Sequence, residues 1–184
     1  SIYFLTRFSE DFNGLKIPGS MISSVGVGLS FDTNIDELIL LIKDIATRNG
    51  VTSVILRPHP RDRRSYARVF ETFGSFVFIV NDDSFFNKID IAIVANSGMS
   101  IDCLHKGVPT FYHGSLDNFS DDQYGFVEVG LLPRYTSINE LNLSFFSNAW
   151  ISLFSRFDST VDTKLLDQLA SVRSILRQRI NIVN

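Results

Sequence analysis

The residues Ile91-Ala92-Ile93-Val94-Ala95 form an unbroken apolar run that stops at Asn96-Ser97-Gly98. A half-buried strand alternates apolar and polar side chains, so a run that is apolar at every position fits a strand covered on both faces. Covering both faces takes helices above and below the sheet. The run therefore points to a parallel, doubly wound α/β domain.

The flanking sequence agrees with that class. Ile35, Leu38, Ile39, Ile42, Ile45 and Ala46 recur at helical spacing, with Thr33 or Asn34 as N-cap and Asp36 or Glu37 in the first turn. Gly50 closes this helix. Strands are expected at 2–8, 53–57, 76–80, 91–95 and 110–113, and helices at 63–73, 84–88 and 98–106. Between the first strand and Phe31 the chain reads as a loop containing Gly14, Gly19, Gly26 and Gly28. After Gly114 comes an acidic, aromatic loop with Asp117, Asp121, Asp122 and Tyr124, followed by helices at 138–154 and 160–180. The expected architecture is a Rossmann-like parallel sheet of five or six strands flanked by helices, with carboxyl-terminal helices, in a single domain over 1–184.

Composition narrows the functional classes. A net charge of -3 gives no general pull toward nucleic acid or anionic membranes, so any anion must be held by local basic groups, and such a cluster lies at 57–68. The longest apolar runs are five residues, far short of the ~20 needed to span a bilayer. A single cysteine, Cys103, excludes an internal disulfide and a cysteine-rich zinc site, and fits a small buried residue in a reducing, cytoplasmic compartment. The opening Ser-Ile-Tyr-Phe, without an initiator methionine or a signal-peptide pattern, implies a piece of a longer protein.

Two segments carry the chemistry. Arg57-Pro58-His59-Pro60-Arg61 directly follows an expected strand, and its prolines fix the backbone on either side of His59 in an extended, rigid loop. A phosphate there would meet Arg57 and His59, with Arg61 or Arg63 close by, through charge-assisted hydrogen bonds. Asn96-Ser97-Gly98-Met99-Ser100 follows the most apolar strand, where Ser97 can cap a helix whose first amides face an anion and Gly98 permits close approach. With the strand order 3-2-1-4-5, strands two and four flank strand one and their ends lie about 10 Å apart at the switch point.

Other candidates are weaker. His113 ends the fifth strand and could serve as a base or a ribose contact. Glu10-Asp11 reads either as loop solvation or as a catalytic acid/base pair, and Asp82-Asp83 as a turn and cap rather than a metal site. No Gly-x-Gly-x-x-Gly follows the first strand and no Walker loop occurs, so redox-dinucleotide and ATPase readings lose their main support.

The His-Pro loop after a strand, then 91–100 leading through Asp102 and Gly107-Val108-Pro109 into Phe111-Tyr112, resembles the carboxyl-terminal half of two-domain GT-B glycosyltransferases. Within that superfamily it is similar to bacterial capsule and lipooligosaccharide enzymes with a His-Pro motif, including sialyl-, polysialyl- and Kdo transferases, and to teichoic-acid glycerophosphotransferases. The resemblance implies a nucleotide-sugar donor, CMP-activated, bound as substrate with no separate cofactor and no metal, together with a glycan acceptor. It maps the contacts to the donor's nucleotide phosphate onto His59, Ser97 and Ser100, and the full set of candidates for binding phosphate and nucleotide is Arg57, His59, Pro60, Asn96, Ser97, Gly98, Ser100 and His113. His59, Glu10 and Asp11 are the catalytic candidates, although Glu10-Asp11-Phe12-Asn13-Gly14 departs from the spacing of the family's acidic pair, which lies in the other domain. The location implied is the cytoplasm, at the inner face of the bacterial membrane through a region outside this chain. The other readings are a non-catalytic nucleotide-binding module and a relative of the nucleotide-sugar 2-epimerases.

Overall fold

The computed structural model describes residues 22–146 apart from 107, 120, 129 and 144, and the elements below belong to one unit ending at Phe145. The strand expected at 2–8, the pair Glu10-Asp11, the helix at 160–180 and most of that at 138–154 lie outside the described residues.

Among the described residues the sheet and the helices between its strands run in the order β1 (Ser24–Gly28), α1 (Ile35–Ala46), β2 (Ser53–Arg57), α2 (Ala67–Phe73), β3 (Val77–Ile79), β4 (Ile91–Val94), α3 (Met99–His105) and β5 (Thr110–Tyr112), with a 3-10 turn, Asp83–Asn87, between β3 and β4. The sheet is wholly parallel, in the order β3-β2-β1-β4-β5. Every residue of β4 is buried, as its unbroken apolar sequence requires. Val25, Val27, Val54, Leu56 and Ile93 are fully buried in the three central strands, each contributing roughly 1.5–3 kcal/mol from burial.

Helix α1 forms where its periodicity puts it. The Asn34 side-chain oxygen accepts from the amides of Asp36 at 3.0 Å and Glu37 at 3.3 Å, a cap worth about 1 kcal/mol. Leu38, Leu41, Ile42 and Ile45 form the buried face.

The structure corrects three expectations. The sequence Ser-Val-Gly-Val-Gly at 24–28, read as loop, is the central strand β1. Its glycines mark close approach rather than a turn: a Cβ on Gly26 would lie 2.6 Å from Ile89 Cδ1 and 2.7 Å from Phe85 Cζ, and one on Gly28 would lie 2.2 Å from Met99 Cε. The 3-10 turn Asp83–Asn87 and the start of α3 therefore press directly on the bare strand.

Helix α2 starts at Ala67 rather than at 63. The Asp62 carboxylate accepts from the Arg64 amide (3.0 Å), from Arg64 Nε (2.9 Å) and from the Tyr66 hydroxyl, which holds the segment out of helix. At the expected start of the 138–154 helix there is only a 3-10 turn, Ile138–Glu140. Asp44 of α1 accepts from the Ile138 amide at 2.8 Å, from the Ser137 hydroxyl at 3.2 Å and from the Tyr135 hydroxyl, tying this segment to α1.

Candidate functional site

Register locates the candidate site. Gly28, the last residue of β1, pairs with Arg57 on one side and with Val94 on the other. The loops leaving β2 and β4 thus rise on the two flanks of β1, at the point where the strand order reverses. In doubly wound sheets this crevice is where ligands bind. His59 lies two residues beyond Arg57, and Ser97 three beyond Val94.

The His59 loop is a tight turn in which the Asp62 amide donates to His59 O at 2.8 Å. The Arg61 amide donates to His59 Nδ1 at 3.1 Å, which assigns the ring proton to Nε2. Partial burial lowers the His59 pKa, and the Arg61 charge lowers it further, against the opposing effect of Asp62. His59 is therefore a neutral imidazole at pH 7 with one N–H to offer, a hydrogen-bond donor for a phosphate oxygen rather than a charged clamp.

Arg57 takes a different part from the phosphate contact expected of it. Its guanidinium lies 4.6 Å over the Phe86 ring and donates to Asp83 at 3.1 Å, and Nη1 is buried with no hydrogen-bond partner among the described residues. Pro60, Arg61 and Arg63 are exposed, and the Arg61 charge acts on the His59 ring.

On the opposite flank the Ser97 hydroxyl accepts from the Met99 amide at 3.2 Å. Gly98 is exposed, with nothing among the described residues within 4 Å of where a Cβ would sit, so the turn leaves room for an approaching group. Ser100 is fully buried and donates to Ser97 O at 2.8 Å, which places it beneath the turn instead of at its surface. Asn96, 6% exposed, is likewise internal. Its amide and side-chain NH2 donate to Asp117, and its side-chain oxygen accepts from Gln123 N (2.8 Å) and the Tyr112 hydroxyl (3.2 Å). Asn96 anchors the loop after β5 to the end of β4.

His113 lies beyond β5, its amide donating to Val94 O at 2.8 Å and its ring edge-on to Tyr135 at 5.4 Å. Burial lowers its pKa, with Glu37 and Asp44 opposing. It lines an open groove of about 480 Å3 with Ser115, Phe119, Asp121, Arg134 and Tyr135. That groove lies beside β5, whereas His59 and Ser97 flank β1. Register is the stronger guide to the site, because it follows from strand pairing and not from the shape of exposed loops.

Sequence reasoning missed the parts that join these loops. Arg64 reaches from the His59 loop to Ser30 O at 3.1 Å and to Thr33 O, clamping the loop after β1. Asp62 beneath it is 1% exposed. Burial pushes its pKa up, but hydrogen bonds from Arg64 and Tyr66 outweigh that and hold the carboxyl at about 2. Phe31 packs edge-to-face against His59 at 5.8 Å and Phe119 at 5.2 Å, linking the loops after β1, β2 and β5. The basic cluster at 57–68 was the available signal for Arg64, while Phe31 carried none. Cys103 is fully buried and burial raises its thiol to about 12, so it packs as a small apolar residue.

Among the described residues no three His, Cys, Asp or Glu side chains cluster as metal ligands, and no helix is long and apolar enough to cross a membrane.

No protein-family model matches the sequence, and no curated protein does. Solved structures do match. KpsC of Thermosulfurimonas dismutans, a beta Kdo 2,7 transferase, aligns at 15% identity and a TM-score of 0.43, over 77% of this chain and 50% of that one. A second, the glycotransferase of kitacinnamycin, aligns at 16% identity and a TM-score of 0.41, over 89% of this chain and 41% of that one. The chain thus spans half or less of each solved protein. Its fold class rests on the strand order and pairing above.

Proposed function

We propose that this chain is the nucleotide-sugar donor-binding half of a GT-B glycosyltransferase of bacterial surface polysaccharide synthesis, acting in the cytoplasm on a CMP-activated sugar. The observation that carries this reading is the pairing of Gly28 with both Arg57 and Val94. It sets the loops that carry His59 and Ser97 on the two flanks of β1 at the switch point, where doubly wound sheets bind ligands.

In the reaction the acceptor hydroxyl oxygen bonds to the anomeric carbon as the bond from that carbon to the phosphate oxygen breaks. The electron pair leaves on the phosphate. His59 Nε2–H donates to the departing phosphate, and the Arg61 and Arg63 charges stabilise it, an electrostatic role. The low His59 pKa and its occupied Nδ1 favour hydrogen-bond donation over proton transfer. The acceptor proton goes to a base outside the described residues, for which Glu10 and Asp11 are candidates within this chain.

A thermal-shift panel of CMP, UDP, CDP and NAD tests the reading. CMP is expected to raise the melting temperature most. An equal response to all four, or none, removes the donor assignment.

A further inference from the structure

Phe31 is a large apolar side chain that the phosphate-binding reading leaves unused. It follows the end of β1 by three residues and is 56% exposed, at the crevice where the loops after β1, β2 and β5 meet. An aromatic ring left in water at a binding crevice offers a face to a planar ligand.

The ring is held in place. It meets the His59 ring at 5.8 Å and 67°, and the Phe119 ring at 5.2 Å and 68°. The main chain around it is fixed at several points: Arg64 donates to Ser30 O and Thr33 O, Asn118 Nδ2 donates to Asp32 O at 3.4 Å, and Thr33 bridges to Asp117. A ring ordered before the ligand arrives costs little further entropy on binding.

We infer that Phe31 is the stacking platform for the nucleobase of the bound nucleotide. The inference rests on the donor-binding reading and adds to it the part of the ligand that Phe31 recognises. A phosphate hydrogen-bonded to His59 Nε2 leaves the nucleoside to extend over the neighbouring ring, which is Phe31. Every base has a π-face, so the contact strengthens binding of any nucleotide, and the choice among bases is made elsewhere.

Calorimetric titration of the full chain with CMP and with ribose 5-phosphate separates base from phosphate, with melting curves recorded alongside. Phe31→Ala is expected to weaken CMP binding about tenfold and to leave ribose 5-phosphate binding unchanged, while Phe31→Trp keeps CMP affinity. Phe31→Leu preserves apolar bulk without the π-face and is expected to weaken CMP as Phe31→Ala does. Phe31→Leu binding CMP like the parent overturns the inference, and so does a proportionate loss of ribose 5-phosphate. A parent that binds no nucleotide overturns the donor-binding reading itself, which is a separate outcome.

Discussion

His59 illustrates how much of a residue's chemistry its immediate neighbours decide. Two prolines fix the backbone, and the amide two residues on occupies Nδ1, so the other ring nitrogen, Nε2, carries the hydrogen. His59→Ala removes that donor from a surface turn, where truncation leaves no core cavity. A hydrogen bond to a charged group is worth roughly 1.5–3 kcal/mol, so CMP affinity is expected to fall about ten- to a hundredfold with little change in melting temperature. Titration with parallel melting curves checks this. Parent-like binding, or unfolding, would make the histidine structural. The candidacy of His59 was legible because it depends on residues 57–61 alone. The internal roles of Asn96 and Ser100 were not, because Asn96 is committed by Asp117, 21 residues away, and Ser100 by its burial under the turn.

At the scale of elements, legibility tracked how local the stabilising interactions are. Helix α1 carries its own cap and a clean apolar stripe, so sequence and structure coincide at Ile35–Ala46. Strand β1 carries two glycines that look like loop residues, and only the side chains packed on them explain their place. Helix α2 begins late because Asp62 captures Arg64 and Tyr66 before the first turn can form. Gly26→Ala tests the account of β1. Its new methyl would meet buried Phe85 and Ile89, so stability is expected to fall by roughly 1–3 kcal/mol, read as a lower denaturation midpoint. Gly28→Ala is expected to cost less, because the flexible Met99 side chain can swing aside. Equal costs would mean that packing on the bare strand is not what selects these glycines.

For the whole molecule, both described histidines with a resolved shift respond to acid in the same direction. Burial lowers the pKa of His59 and His113 below 6.5 in the fold. As pH falls through about 6.5 the unfolded chain takes up protons before the folded one, so stability drops and then levels off below the folded values. Asp62, held at about 2, has the opposite kind of partner. Its contribution is complete above its unfolded value, near 3.8, and is lost as pH falls through about 2. Between about pH 7.5 and 5.5 the histidines alone of these three act. The melting temperature is expected to fall over that interval, and to fall less in a His59→Gln, His113→Gln double variant. An identical fall in parent and variant would show that neither histidine is held neutral.

The clamp from Arg64 has one more consequence. It grips Ser30 and Thr33 through their main-chain oxygens, which every amino acid supplies. Changes of side chain at those two positions therefore need no compensating change at Arg64. Among diverging relatives the clamp could persist without leaving any correlated pattern of substitution between the two loops it joins.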